Sequence, residues 1–104
     1  MRVDQTAGQL DMLLLAALAQ GPVYGYGVIA RLRADSGGVF AMPEGTIYPA
    51  LHRLEQAGLV ESSVETAQGR RRRTYALTPR GRKEFTSQRR EWQSFVARMQ
   101  AVIA

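Results

Sequence analysis

Residues 43–58 combine apolar side chains at helical spacing with hydroxyl, imidazole and guanidinium groups. Ile47, Leu51 and Leu54 are four and three residues apart, so in a helix they share one face that can pack inward. The polar groups project from the other faces, and side chains of these types can read base edges in a DNA major groove. The alternative is an ordinary amphipathic core helix with one solvated face. The candidate DNA contacts of this helix are Thr46, Tyr48, Pro49, His52 and Arg53.

Pro49 constrains where this helix begins, because a proline in a helix interior removes one backbone hydrogen bond. With Thr46 as the N-cap, Pro49 would be the third helical residue, where its missing N–H has no intrahelical partner. A start at Glu44 would instead imply a small bend. In both cases residues 46–49 form the exposed entrance of the helix, and Gly58 suits the left-handed position that ends it.

A second concentration of polar groups lies further along the chain, where residues 70–90 hold nine of the fourteen cations and only one acid, Glu84. Four consecutive arginines repel one another, so an external anion such as a phosphate is expected to neutralise them. Arginine at a thin turn can also enter a narrow minor groove. A solvated loop is the alternative. The candidate DNA contacts of this segment are Gln68, Arg70, Arg71 and Arg72.

Two further helices are predicted before residue 43. Thr6 and Gln9 have the spacing of a capping box that would open the first helix. The run from Met12 to Ala19 is apolar on every face. This pattern is expected either of a helix buried on most sides or of one buried on one side by its own domain and on another by a partner. The second helix is predicted from Tyr24 to Ser36, and its Gly25 and Gly27 indicate either close approach of a neighbouring backbone or a frayed start.

The segment after the third helix predicts a β-hairpin. Leu59 to Val64 and Arg73 to Leu77 are short β-type runs, separated by a predicted loop over residues 65–72. Three helices followed by a two-stranded hairpin are typical of a winged helix-turn-helix, in which the hairpin is the wing. The expected fold is therefore mainly α with a small β-hairpin, with a DNA-binding domain over residues 1–78.

Residues 79–104 predict a long tail helix that pairs two copies of the chain. Thr78 suits the N-cap and Pro79 the first helical position. Roughly 25 helical residues extend about 38 Å, more than so small a domain can cover. The alternative is a helix folded back on its own domain. Apolar residues repeat along the tail with heptad-like spacing. The candidate dimer contacts, with one residue of the first helix, are Leu13, Phe85, Trp92, Phe95, Val96, Met99 and Val102.

The composition of the 104-residue chain excludes several classes of function. A net charge of +5 and a pI of about 10.4 favour a polyanionic partner. The chain has no cysteine, and His52 is its only histidine, so neither a catalytic constellation nor a typical metal site is expected. The apolar run at 12–19 is shorter than the roughly 20 residues that a bilayer requires. We expect a cytoplasmic, soluble protein without cofactor or membrane partner.

The chain resembles the PadR-like transcriptional regulators over about residues 8–104. The resemblance is carried by the run from Leu10 to Leu15, by Gly21-Pro22 with Tyr24-Gly25-Tyr26, and by the stretch from Glu44 to Glu55. Gly-Thr-Ile-Tyr-Pro-Ala-Leu within that stretch is its most specific part. It continues through Gly58-Leu59-Val60, the run from Gly69 to Tyr75, and Leu77-Thr78-Pro79-Arg80-Gly81.

The resemblance implies a homodimeric bacterial repressor of the short-tailed type, which contacts double-stranded operator DNA through the third helix and the wing. In some such regulators a tail-helix tryptophan from each subunit sandwiches a planar cationic inducer, and Trp92 lies in the comparable place. The alternative for Trp92 is a plain packing residue. This sequence departs from the family after Tyr26, where Gly27 replaces a common glutamate. The alternative function is a basic winged-helix adaptor that binds protein or RNA.

Overall fold

The computed structural model describes residues 9–104, in which four helices accompany one three-stranded sheet. The predicted order of three helices, a hairpin and a long tail helix is confirmed. The predicted capping box at Thr6 lies outside the described residues. The elements are α1 (Leu10–Ala19), β1 (Val23–Tyr24), α2 (Gly25–Asp35), α3 (Glu44–Gln56), β2 (Val60–Ala67), β3 (Arg70–Leu77) and α4 (Pro79–Ile103).

The core forms where the apolar faces of the first three helices meet the sheet. Leu14 and Leu15 of α1 are fully buried, as are Ile47 and Leu51 of α3. Burying a side chain of this size stabilises the fold by about 1.5–3 kcal/mol. The inward stripe predicted from the spacing of Ile47, Leu51 and Leu54 is therefore confirmed, and it fixes which face of α3 points outward.

Helix α3 begins at Glu44 with Pro43 as its N-cap, so Thr46 is not the N-cap. The carbonyl oxygen of Pro43 accepts hydrogen bonds from the backbone N–H groups of Thr46 at 3.0 Å and Ile47 at 3.2 Å. Because Thr46 donates one of these two bonds, it lies inside the first helical turn and not at its N-cap. Pro49 consequently lies inside the helix, where its ring leaves the carbonyl of Gly45 without the usual helical donor.

The hairpin is longer than the sequence predicts, because its turn contains only two residues. Gln68 and Gly69 have φ angles of +53° and +76°. Two consecutive left-handed residues match the twist of the flanking strands and allow the tightest hairpin connection. The predicted loop at 65–72 is therefore wrong. The four arginines lie on β3, paired with β2 from Ala67↔Arg70 to Val60↔Leu77.

The sheet has a third strand that the sequence does not predict. Strand β1 pairs antiparallel with β3 through Val23↔Tyr75 and Tyr24↔Thr74, and the sheet order is β1-β3-β2. A two-residue strand is too short to produce an alternating pattern.

The close approach predicted at Gly27 involves a side chain and not a neighbouring backbone. A β-carbon on Gly27 would overlap the side chain of Val23.

The start of α4 is fixed on the domain and its end extends away from it. The hydroxyl of Thr78 accepts a hydrogen bond from the N–H of Gly81 at 3.0 Å and donates one to the carbonyl of Gly58 at 2.7 Å. The predicted cap, with Pro79 in the first turn, is confirmed. The described chain measures 54 × 28 × 20 Å, so the second half of α4 has little of its own domain to cover it.

Candidate nucleic-acid interface

The outward face of α3 carries most of the side chains predicted to contact DNA. Tyr48, Pro49, His52 and Arg53 are exposed, and Thr46 is half-buried. Their neighbours on the opposite face fill the core, so the helix cannot rotate without exposing leucine and isoleucine side chains. The third helix therefore presents a row of polar and aromatic groups in a fixed orientation.

Tyr48 lies at the edge of this face, against the start of α2. A β-carbon on Gly25 would overlap the Tyr48 ring, so only glycine admits the ring at this place. Partial burial, and then the charge of Glu44, raise the pKa of Tyr48 above its ordinary value. A tyrosine hydroxyl is protonated at neutral pH and an upward shift keeps it so, which means that Tyr48 can donate a hydrogen bond.

Arg53 lies at the other edge of α3, beside α1. Its guanidinium donates a hydrogen bond to the carboxylate of Asp11 at 2.5 Å, and both side chains remain largely exposed. Exposed pairs of this kind contribute at most about 1 kcal/mol. The pair orients Arg53 without removing it from the surface.

The arginines of β3 divide between the two faces of the wing, because successive side chains of a strand alternate. The guanidinium of Arg72 lies over the Tyr24 ring, 4.7 Å from its centroid. Arg73 donates a hydrogen bond to the hydroxyl of Ser62 at 3.0 Å, and that hydroxyl donates one to Glu55 of α3 at 2.6 Å. This chain of bonds holds the wing at a set position beside α3.

A groove connects the third helix to the wing. We call it the tyrosine–arginine groove; its volume is about 460 Å³. Three of its residues, Tyr48, Arg70 and Arg72, are DNA contacts predicted from the sequence, and the structure brings them together. The remaining residues are not among the predicted contacts, although Tyr24-Gly25-Tyr26 belongs to the family resemblance. The lining consists of Tyr24, Gly25, Tyr26, Tyr48, Arg70, Arg72, Arg73 and Tyr75.

The remaining cations of residues 70–90 do not join this groove. Arg82, Lys83 and Arg90 line a separate groove along one side of α4, together with Thr86 and Ser87. The guanidinium of Arg89 lies 5.3 Å from the centroid of the Phe85 ring. The cations of residues 70–90 are thus divided between the wing and α4, and only those of the wing line the groove beside α3.

The apolar side of α4 is exposed over its second half. Trp92 is 42% exposed, Phe95 51% and Val102 83%, and Met99 is also exposed. The Trp92 and Phe95 rings lie 5.8 Å apart between centroids. Val96 is half-buried. Two other predicted dimer contacts, Leu13 and Phe85, are less exposed, because they are partly buried against the core of their own domain.

A third groove, between α1 and α4, combines aromatic rings with carboxylates. Its volume is about 600 Å³, and Trp92 and Phe95 lie beside Asp11, Glu84 and Glu91. Aromatic faces and carboxylates together favour a cation. Asp11 is also the partner of Arg53, so this groove borders α3.

Two other kinds of feature are absent from the part of the chain that the structure describes. Within residues 9–104 no three His, Asp or Glu side chains are arranged to hold a metal ion. Over the same residues no helix is both long enough and apolar enough to cross a bilayer. The three-helix core, the hairpin beside α3 and the arginine strand define a winged helix-turn-helix protein.

The chain matches the transcriptional regulator PadR-like family over residues 14–87, and it belongs to this family. The family resemblance and the winged-helix fold predicted from the sequence are thereby confirmed. PadR-family members are DNA-binding transcriptional regulators and not enzymes, which also confirms the predicted class.

Similar proteins agree with this membership. A stretch of 51 residues is 47% identical to the transcriptional regulator Rv3488 of Mycobacterium tuberculosis, covering 49% of this chain and 48% of that protein. The match thus spans about half the length of that relative. A transcriptional regulator from Clostridium thermocellum has a TM-score of 0.87 at 27% identity, over 100% of this chain and 99% of its own. A PadR family regulator from Clostridium difficile has a TM-score of 0.82 at 28% identity, over 93% and 100%.

Proposed function

We propose that this protein is a homodimeric repressor that binds a near-palindromic operator in the bacterial cytoplasm. The observation that carries the proposal is the groove shared by α3 and β3, in which Tyr48 of the helix meets Arg70 and Arg72 of the wing. A reading helix and a basic strand on one surface can engage adjacent parts of one duplex.

The exposed apolar side of α4 supports the dimer. Phe95 and Met99, with Trp92 one helical turn before Phe95, present adjacent aromatic and thioether groups to solvent. A second copy offers the same surface, as a two-fold interface requires. Two such subunits can place their α3 helices about 34 Å apart, one turn of DNA.

The wing and α3 are expected to have different roles, the wing contacting phosphates and α3 reading bases. Replacing Arg71 with glutamine is expected to weaken binding to operator and random duplexes alike, and to reduce the slope of log affinity against log salt by about one. Arg71 is exposed on the wing, where it suits a phosphate contact. His52→Ala is expected to lower mainly the preference for the operator, because imidazole on the outward face of α3 suits base readout.

Mobility shifts with the duplex upstream of the protein's own gene, at several salt concentrations, measure both effects. Arg98→Gln removes the same charge from an exposed position of α4 and serves as the control, with binding expected to be unchanged. Equal losses on operator and random DNA for Arg71→Gln and His52→Ala would contradict these separate roles of the wing and α3. Absence of any shift at low salt would favour an adaptor that binds protein or RNA.

We also propose that the groove beside Trp92 binds a planar cationic inducer. Asp11, Glu84 and Glu91 supply negative charge, and the Trp92 ring supplies a face for stacking. Titration with a planar cationic dye is expected to quench Trp92 fluorescence, and Glu91→Gln to weaken that binding severalfold. Unchanged fluorescence across a panel of such cations would show that Trp92 only packs.

A further inference from the structure

The tyrosine–arginine groove exists because β1 is short. Strand β1 pairs with β3 only at Thr74 and Tyr75, and the chain then turns into α2 at Gly25. The backbone of β3 from Arg70 to Arg73 therefore has no strand partner on that side. The gap is open to solvent and is bounded by the starts of α2 and α3.

The charge of the groove has one sign. Three arginines line it, and no carboxylate does. Two carboxylates lie near its rim: Glu44 beside Tyr48 and Glu55 beside Tyr75. The carboxylate of Glu55 already accepts the hydroxyl proton of Ser62 in a hydrogen bond. A third carboxylate, that of Glu65, belongs to the β2 residue paired with Arg72. Within the described residues none of the three groove arginines forms an ion pair, so an anion that enters the groove meets guanidinium groups that can bind it.

The hydrogen-bonding groups of the groove are mainly donors. Guanidinium groups donate and cannot accept. Partial burial, and then Glu44, raise the pKa of Tyr48, while burial is the main cause that raises the pKa of Tyr75. Tyrosine hydroxyls are protonated at neutral pH and upward shifts keep them so, which leaves both hydroxyls able to donate. Adenine and cytosine edges in the major groove present donors, and a guanine edge presents acceptors but no charge. A phosphodiester presents acceptors only and carries a negative charge, so a lining of donors with three guanidinium groups suits a phosphate better than a base.

Two arginines of the groove are held in place and one is freer. Arg72 stacks on Tyr24, and Arg73 is bonded to Ser62. Arg70 is exposed at the end of β3 next to the turn. Its side chain can reach an incoming anion without giving up an ion pair, because the described residues show no ion pair to Arg70.

We propose that the tyrosine–arginine groove holds one backbone phosphate of each operator half-site, bound by the Tyr48 hydroxyl and the Arg70 guanidinium. The inference rests on the proposed function and adds a specific site to it. Tyr48 then positions the protein on the duplex and does not read a base, although its place on the third helix predicts a base contact. Phosphate contacts set the register in which α3 meets the bases.

The test neutralises single phosphates of the bound duplex. A series of duplexes, each with one methylphosphonate, is titrated with wild type, Arg70→Gln and Tyr48→Phe. For wild type, a methylphosphonate at one position in each half-site is expected to weaken binding about tenfold or more. This is the size of the loss of one hydrogen bond to a charged group. At that same position Arg70→Gln and Tyr48→Phe are each expected to lose less than wild type, about threefold, because one of the two contacts to the phosphate is already absent.

Arg98→Gln is the control for loss of charge and is expected to keep the full sensitivity of wild type. Equal sensitivity of wild type, Arg70→Gln and Tyr48→Phe at every position would overturn the groove as a phosphate site and leave DNA binding standing. Failure of wild type to bind any unmodified duplex would overturn the proposed function itself, and the groove site with it.

Discussion

Replacing Gly81 with alanine is expected to lower the free energy of unfolding by about 2–3 kcal/mol and the melting temperature by about 10 °C or more. Gly81 is buried in the first turn of α4, and a β-carbon there would overlap the carbonyl group of Leu59. That carbonyl accepts the N–H of Thr78 at 3.1 Å. The backbone therefore cannot move away without breaking one of the hydrogen bonds that join the start of α4 to the domain.

Gly45→Ala is the matched control, because it makes the same change in another helix. A β-carbon on Gly45 would have no atom within 4 Å. At such an open helical position alanine is expected to stabilise by up to about 1 kcal/mol. Denaturant unfolding at a fixed protomer concentration measures both variants. A Gly81→Ala variant as stable as wild type would show that α4 is not packed on Leu59 in solution.

Gly81 also illustrates which features of the fold a sequence can reveal. The N-cap Thr78 and Pro79 are adjacent residues, so their local chemistry predicts the start of α4 correctly. The stripe of Ile47, Leu51 and Leu54 is likewise a local pattern, and it correctly orients α3. The close contact of Gly81 with Leu59 joins residues from different elements, and no local pattern records it.

The same distinction explains the errors and omissions. The length of the hairpin depends on Gln68 adopting a left-handed conformation beside Gly69, which is uncommon for a residue other than glycine. The tyrosine–arginine groove depends on Tyr24 and Tyr48, which are 24 positions apart and meet only after folding. Sequence patterns locate the helix and the basic strand of the interface, but the surface between them is a product of tertiary structure.

Replacing Phe95 with glutamate is expected to convert the proposed dimer into monomers at micromolar concentration. Phe95 is half-exposed in the single chain and lies against Trp92, so the fold of each subunit is expected to remain intact. Two-fold symmetry places two glutamates in the apolar contact, at a combined cost of about 4 kcal/mol or more. This cost corresponds to about a thousandfold rise in the dissociation constant, which sedimentation equilibrium can measure.

Ser94→Glu is the control for the dimer, because it introduces the same charge at the preceding exposed residue, away from the apolar side. It is expected to stay dimeric, and circular dichroism is expected to show wild-type helix content for both variants. A dimeric Phe95→Glu variant would contradict the assignment of this side of α4 to the interface.

The loss of the dimer is also expected to change DNA binding in a way that separates subunit pairing from base reading. A Phe95→Glu monomer keeps α3 and the wing, so its affinity for a single half-site is expected to match that of wild type. Its affinity for the full operator is expected to fall about a hundredfold or more, because the second half-site no longer binds as part of a linked pair. A monomer that binds the full operator as tightly as wild type would show that pairing through α4 does not contribute to operator recognition.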